Sequence, residues 1–130
     1  MYNISLTKAD KRLCRELIHV GSERECKHYV EQMKRLTEKP MPLSELNAPY
    51  REENGWSVEG PWHKRYIQLF KATEKFDKHI ARRYDGISGG SYINCVIDLY
   101  CDHWLGDEDI SRFSEDVRQK ILFIANREVL

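Results

Sequence analysis

The segment from Pro61 to Tyr84 constrains the fold most. It contains no glycine, its only proline is its first residue, and its large side chains recur at helical spacing. Proline is favoured at the first position of a helix. The segment therefore predicts a six-turn helix whose stripe faces a core. The stripe consists of Trp62, Tyr66, Leu69, Phe70, Thr73, Phe76, Ile80 and Tyr84.

The opposite side of this predicted helix carries a row of cations. On a helical wheel they lie within about 60° of one another, with no carboxylate among them, and they extend over about 27 Å. Such a row suits a phosphate backbone or an acidic protein surface, although a solvated outer face is the commoner meaning of a charge run. We call it the cationic row: Lys64, Lys71, Lys75, Lys78 and Arg82.

Two shorter helices are predicted before this segment. The first covers 8–20, with Thr7 as its N-cap, and Gly21 is expected to end it. Ser22, followed three positions later by a glutamate, resembles a capping box that starts a second helix running to Thr37. The sequence thus predicts a helical hairpin or a sharp corner at Gly21.

Residues 38–60 differ in character from what precedes them. Three prolines and two glycines exclude a long regular element, so a long irregular loop is predicted between the second and third helices.

The remainder of the chain is also helical in pattern. The segment 91–105 is apolar almost all round, which indicates a central position, and Gly106 is expected to end it. A short helix follows over 107–113, and Ser114 caps a last helix. Because no period-two pattern occurs, the prediction is an all-α single domain over 1–130, a bundle of about five main helices.

Charge is balanced overall but unevenly distributed. The chain has 21 basic and 21 acidic residues, which excludes the strong global field of a dedicated nucleic-acid protein. Residues 61–84 nevertheless carry a net charge of +5, and residues 98–116 carry −6. These two segments can neutralise each other within the fold or across a dimer interface.

The predicted cellular location rests on two kinds of apolar segment that the sequence lacks. The first residues hold no apolar stretch typical of a signal peptide, and no apolar run approaches the length of a membrane span. The four cysteines show no C-x-x-C spacing, so reduced, buried thiols are expected. We predict a cytoplasmic protein without membrane association.

The turn Gly86–Ser91 is a candidate anion site. Glycines before a helix allow backbone N–H groups to converge on an anion, and arginines just before the turn add charge. Helical corners also use glycine for purely steric reasons, which is the competing interpretation. The predicted anion-binding residues are Lys71, Lys75, Lys78, Arg82, Arg83, Gly89, Gly90 and Ser91.

Asp98 and Asp102 form a second candidate site. Four positions apart on a helix, their carboxylates share a face and resemble half of a divalent-metal site. A second pair of ligands is normally required and none is evident, so contact with solvent or with neighbouring cations is the alternative.

No catalytic signature and no cofactor motif is present. The sequence predicts a non-enzymatic helical interaction protein that binds another protein or itself, as in a homodimer. One alternative is a binder of nucleic acid or of a phosphorylated ligand, using the basic face of helix 61–84 and the Gly86–Ser91 turn. A further alternative is a metal-assisted hydrolase that uses Asp98 and Asp102.

Overall fold

The computed structural model describes residues 4–41 and 60–129, with side chains up to residue 127. Within these residues the chain forms helices and no strand, so the predicted all-α fold is confirmed. The predicted loop over 38–60 lies for its greater part, at 42–59, outside the described residues. The described helices are α1 (Lys8–Glu38), α2 (Pro61–Tyr84), α3 (Tyr92–Cys101), α4 (Asp107–Ile110) and α5 (Glu115–Val129).

The helices contribute to two compact units. One, which we call the core unit, comprises Met1–His28 and Arg82–Leu130. The other comprises Tyr29–Ala81, and we call it the paired-helix unit because its described residues are the end of α1 and most of α2. The expectation of one domain over the whole chain stays a prediction.

The apolar core lies in the core unit. Helix α3 is buried on nearly every side, as its all-round apolar sequence predicts, and it packs between side chains of α1 and α5. Burying one such aliphatic side chain stabilises a fold by about 1.5–3 kcal/mol. The fully buried side chains of this core include Cys14, Leu17, Val96, Leu99, Leu105, Ile110, Val117 and Ile121.

The predicted break at Gly21 is wrong. Helix α1 continues through Gly21 and ends at Glu38, so the chain has one long helix where two were expected. A Cβ atom at position 21 would lie 2.7 Å from Cδ1 of Leu99. The glycine therefore allows α3 to approach α1 closely, and it does not terminate the helix.

Helix α1 begins as predicted, with a reciprocal cap. The Asp10 backbone N–H donates to Oγ1 of Thr7 at 3.0 Å, and the Thr7 N–H donates to Oδ2 of Asp10 at 3.2 Å. The same carboxylate accepts from the hydroxyl of Ser114 at 3.2 Å, just before α5. One buried side chain thus holds the N-terminal ends of two helices.

Helix α2 has the bounds that its sequence predicts, from Pro61 to Tyr84. Helix α3 is shorter than predicted and ends at Cys101, because His103 adopts a left-handed backbone with φ of 66°. The N–H groups of Trp104 and Leu105 then return to the Leu99 carbonyl, which closes the helix end.

Candidate functional site

The cationic row is exposed along α2. All five of its side chains, from Lys64 to Arg82, are exposed to solvent. Lys78 pairs with Glu74 one turn earlier, at 3.4 Å. Among the described residues the other four cations of the row form no ion pair. The row is therefore a surface of largely uncompensated positive charge.

Arg83, also predicted to bind an anion, has its side chain largely buried within the core unit. Its side chain is only 10% exposed, lies 3.6 Å from Oε1 of Glu25 and donates a hydrogen bond to Asp102. Burial opposes its charge, but the hydrogen bond to Asp102 and the nearby Glu25 carboxylate raise the pKa of Arg83 above its ordinary value. Arg83 is thus neutralised by two carboxylates and contributes no free charge to the turn.

Glu25, which the sequence suggested as half of a capping box, is instead a buried helical residue at 3% exposure. Its Oε2 accepts a hydrogen bond from the hydroxyl of Tyr84 at 2.7 Å. Burial and this hydrogen bond together raise the pKa of Tyr84. The contacts of Glu25 with Tyr84 and Arg83 therefore connect α1 to the C-terminal end of α2.

The Gly89–Gly90 turn borders a cavity of about 480 Å³. The cavity is also lined by Lys11 of α1 and by the segment Ile4–Leu6, so the structure adds a lysine that the predicted site did not include. The Ser91 hydroxyl does not cap α3. It donates to the Ser88 carbonyl at 3.2 Å and accepts from the Ser88 N–H at 3.0 Å.

The steric interpretation of this turn applies to only one of its glycines. Gly86 has a φ of 74°, a conformation that favours glycine. A Cβ atom at Gly89 or Gly90 would meet nothing within 4 Å, and neither residue has a positive φ. Packing therefore does not explain these two glycines, and anion binding at Gly89, Gly90 and Ser91 stays a prediction.

Asp98 and Asp102 lie at the end of α3, at the surface. The Asp102 carboxylate accepts a hydrogen bond from Arg83, which is the neighbouring-cation contact expected as the alternative to metal binding. In the described part of the chain, no three side chains of His, Cys, Asp or Glu come together as a metal site. Metal binding by this pair stays a prediction.

None of the four cysteines forms a disulfide. Burial raises the pKa of the Cys14 thiol to about 12 and that of Cys95 to about 11. Both thiols are therefore protonated near neutral pH and are poor nucleophiles.

The N-terminal half of α2 exposes large aromatic side chains that the sequence predicted to face a core. Trp62, Tyr66 and Phe70 are 61%, 58% and 53% exposed. Spaced four residues apart, they lie one above the other along one side of the helix. We call these three residues the aromatic stripe. Periodicity identifies an apolar face but not the element that covers it, so no sequence signal predicts this exposure.

The paired-helix unit buries almost nothing in its described residues. The Tyr29 ring stacks on Phe76 at 4.2 Å between centroids, and the Tyr29 hydroxyl hydrogen-bonds to Thr73. Arg65 donates a hydrogen bond to the Lys39 carbonyl and is the one buried residue of 29–41 and 60–81. Two helices therefore pack side by side here without a buried apolar centre.

The chain matches no known protein family, no curated protein and no solved structure. Of the helices in the described ranges, none combines the length and the apolar character needed to cross a membrane.

Proposed function

We propose that this chain is a non-enzymatic, cytoplasmic interaction protein that binds a second copy of itself through the aromatic stripe of α2. The observation that carries this proposal is the exposure of Trp62, Tyr66 and Phe70 in a unit whose described residues bury no apolar side chain. A contiguous exposed apolar surface on a folded protein typically marks an interaction site.

The second copy is the occupant that suits the two helices described in this unit. An amphipathic helix must bury its stripe against another element, and two helices side by side form only one layer. A second pair of helices supplies the missing layer and produces a four-helix arrangement. Most homo-oligomers are twofold dimers in which the same patch meets itself, and an apolar stripe is complementary to its own copy.

The available surface is of the right order for this contact. An aromatic side chain buries about 150–250 Å², so three half-exposed ones supply on the order of 300–400 Å². Each partner in a standard interface buries about 800 Å², and the helix surfaces beside the stripe would supply the remainder. Val30 on α1, 62% exposed, belongs to the same unit.

Charge does not oppose this contact. Lys71, Lys75 and Lys78 point to the side of α2 that lies about 80° or more around the helix from the residues of the aromatic stripe. The stripes of two copies can therefore meet while the lysines of both copies stay in water.

The test is the molar mass of the full chain, measured by sedimentation equilibrium over a range of protein concentrations. We expect the wild-type chain to be dimeric and the variant Trp62→Ser/Tyr66→Ser/Phe70→Ser to be monomeric with unchanged helical circular dichroism. The reason is that the variant removes apolar contact area between copies while leaving the core unit intact.

The matched control is Phe123→Ser, because Phe123 is also an exposed aromatic residue, at 63%, but belongs to the core unit. This variant should dimerise like the wild type. A monomeric wild-type chain, or equal dissociation by Phe123→Ser, would contradict the proposal.

A further inference from the structure

The lysines of the paired-helix unit form a surface that self-association does not use. Lys64, Lys71 and Lys75 are exposed and form no ion pair with any described residue, and Lys78 has Glu74 alone. Helix α5 behaves differently. There, Arg118 pairs with Glu115 and Lys120 pairs with Asp116.

Carboxylates of the acidic segment 98–116 form ion pairs and hydrogen bonds within the core unit. Asp109 pairs with Arg24 at 2.9 Å, and Asp107 accepts a hydrogen bond from Tyr100. Together with the ion pairs of Asp102, Glu115 and Asp116, this gives four of the seven carboxylates of 98–116 a cationic partner within the core unit.

The spacing of the lysines suits a regular polyanion. Along α2, Lys75 follows Lys71 by about 6 Å and Lys78 follows Lys75 by about 4.5 Å, at 1.5 Å per residue. In a nucleic-acid duplex, successive phosphates of one strand are spaced about 3.4 Å apart along the helix axis. From Lys71 to Lys78 the row therefore presents one cation for every one or two phosphates, and Lys64 lies about three phosphate spacings before Lys71.

From this geometry we propose that Lys64, Lys71, Lys75 and Lys78 bind the sugar–phosphate backbone of nucleic acid. Lysine is depleted in protein–protein interfaces, whereas lysine and arginine side chains are regular donors to phosphate oxygens. A lysine is a point charge without the planar fork that reads a guanine edge, so binding should be independent of base sequence. The proposal does not depend on self-association.

The experiment measures binding of the full chain to fluorescently labelled single-stranded RNA and duplex DNA, each in two unrelated sequences, by anisotropy from low to moderate salt. The wild-type chain should bind both sequences of each nucleic acid equally well. Its affinity should fall steeply as the salt concentration rises. Lys71→Glu/Lys75→Glu/Lys78→Glu should lower the affinity at least about tenfold. It should also make the plot of log affinity against log salt concentration less steep by about 2–3, because each lost phosphate contact removes about one unit of slope. Comparison of the RNA with the duplex identifies which backbone is preferred.

The control is Lys8→Glu/Lys27→Glu/Lys34→Glu, which changes the net charge equally at three exposed lysines outside the row. It should keep most of the affinity and the wild-type slope. If the triple glutamate variant does not fold, Lys71→Gln/Lys75→Gln/Lys78→Gln avoids like-charge repulsion with Glu74 and carries the same expectation. No binding at low salt, equal weakening by the control, or equally tight binding of a polyglutamate peptide to the row would overturn the proposal.

Discussion

At the scale of single residues, Gly21 shows that the structural role of a glycine depends on what packs against it. Glycine costs about 0.5–1 kcal/mol relative to alanine inside a helix, which is why it predicts a helix end. Here it lies in the middle of α1, opposite the fully buried Leu99. The close approach of two helices outweighs the local preference, and only the packed structure reveals that.

We predict that Gly21→Ala destabilises the protein by about 1–2 kcal/mol, although alanine is the better helix former. The reason is that the new methyl group would lie 2.7 Å from Cδ1 and 3.1 Å from Cδ2 of Leu99, whose side chain is fully buried, so the leucine must shift. The measurement is the urea midpoint of unfolding.

The same substitution in a Leu99→Ala background provides the control. There the methyl group occupies space that the leucine has vacated, so Gly21→Ala should become neutral or stabilising. An equal loss of stability in both backgrounds would mean that the contact with Leu99 is not the cause.

At the scale of elements, Asp10 links the starts of α1 and α5 through Thr7 and Ser114. Burial alone would raise the pKa of this carboxyl, but the hydrogen bonds from Thr7 and Ser114 lower it below its ordinary value. The capping role of Thr7 follows from its residue type and position. The contact with Ser114 joins residues 104 positions apart and depends on the tertiary fold.

We predict that Asp10→Asn lowers the free energy of unfolding by about 1–2 kcal/mol at neutral pH, because an amide cannot accept all of these hydrogen bonds. Since the folded-state pKa is depressed, the wild-type advantage is fully present above the unfolded-state pKa of about 4. It should disappear as the pH falls through the folded-state pKa. Urea unfolding of both proteins from neutral to acidic pH measures this difference.

Asp116→Asn is the matched control, because Asp116 is an exposed helical aspartate whose partner is Lys120 at the surface. Its effect should stay below about 0.5 kcal/mol. A difference between wild type and Asp10→Asn that persists undiminished at the acid end would rule out the carboxylate as the source of the stability.

At the scale of the whole molecule, the two units differ in how much they bury. The core unit contains every buried apolar side chain of the described residues, including Leu17, Val96 and Ile121. The paired-helix unit relies on partly buried contacts such as the Tyr29–Phe76 stack. Resistance to local opening depends on buried apolar contacts, so it should differ between the units.

We predict that backbone amides of 62–80 exchange with deuterium at least about tenfold faster than those of 93–100, relative to their intrinsic rates, in dilute protein. Native-state hydrogen exchange measures this. If the chain self-associates as proposed, raising the protein concentration should slow exchange in 62–80 while leaving 93–100 unchanged, because the proposed contact covers only the paired-helix unit. Equal protection in the two segments would contradict this division.

Local sequence was sufficient to predict the helical class, the bounds of α2, the cap at Thr7 and the central burial of α3. These depend on local propensity and on periodicity, which act over a few turns of one helix. Four further features depend on tertiary packing: the continuity of α1 through Gly21, the burial of the Arg83 side chain, the placement of Lys11 beside Gly89–Gly90 and the exposure of the aromatic stripe. Each of these depends on which surface of another element lies opposite a residue, and residues far apart in the chain supply that surface.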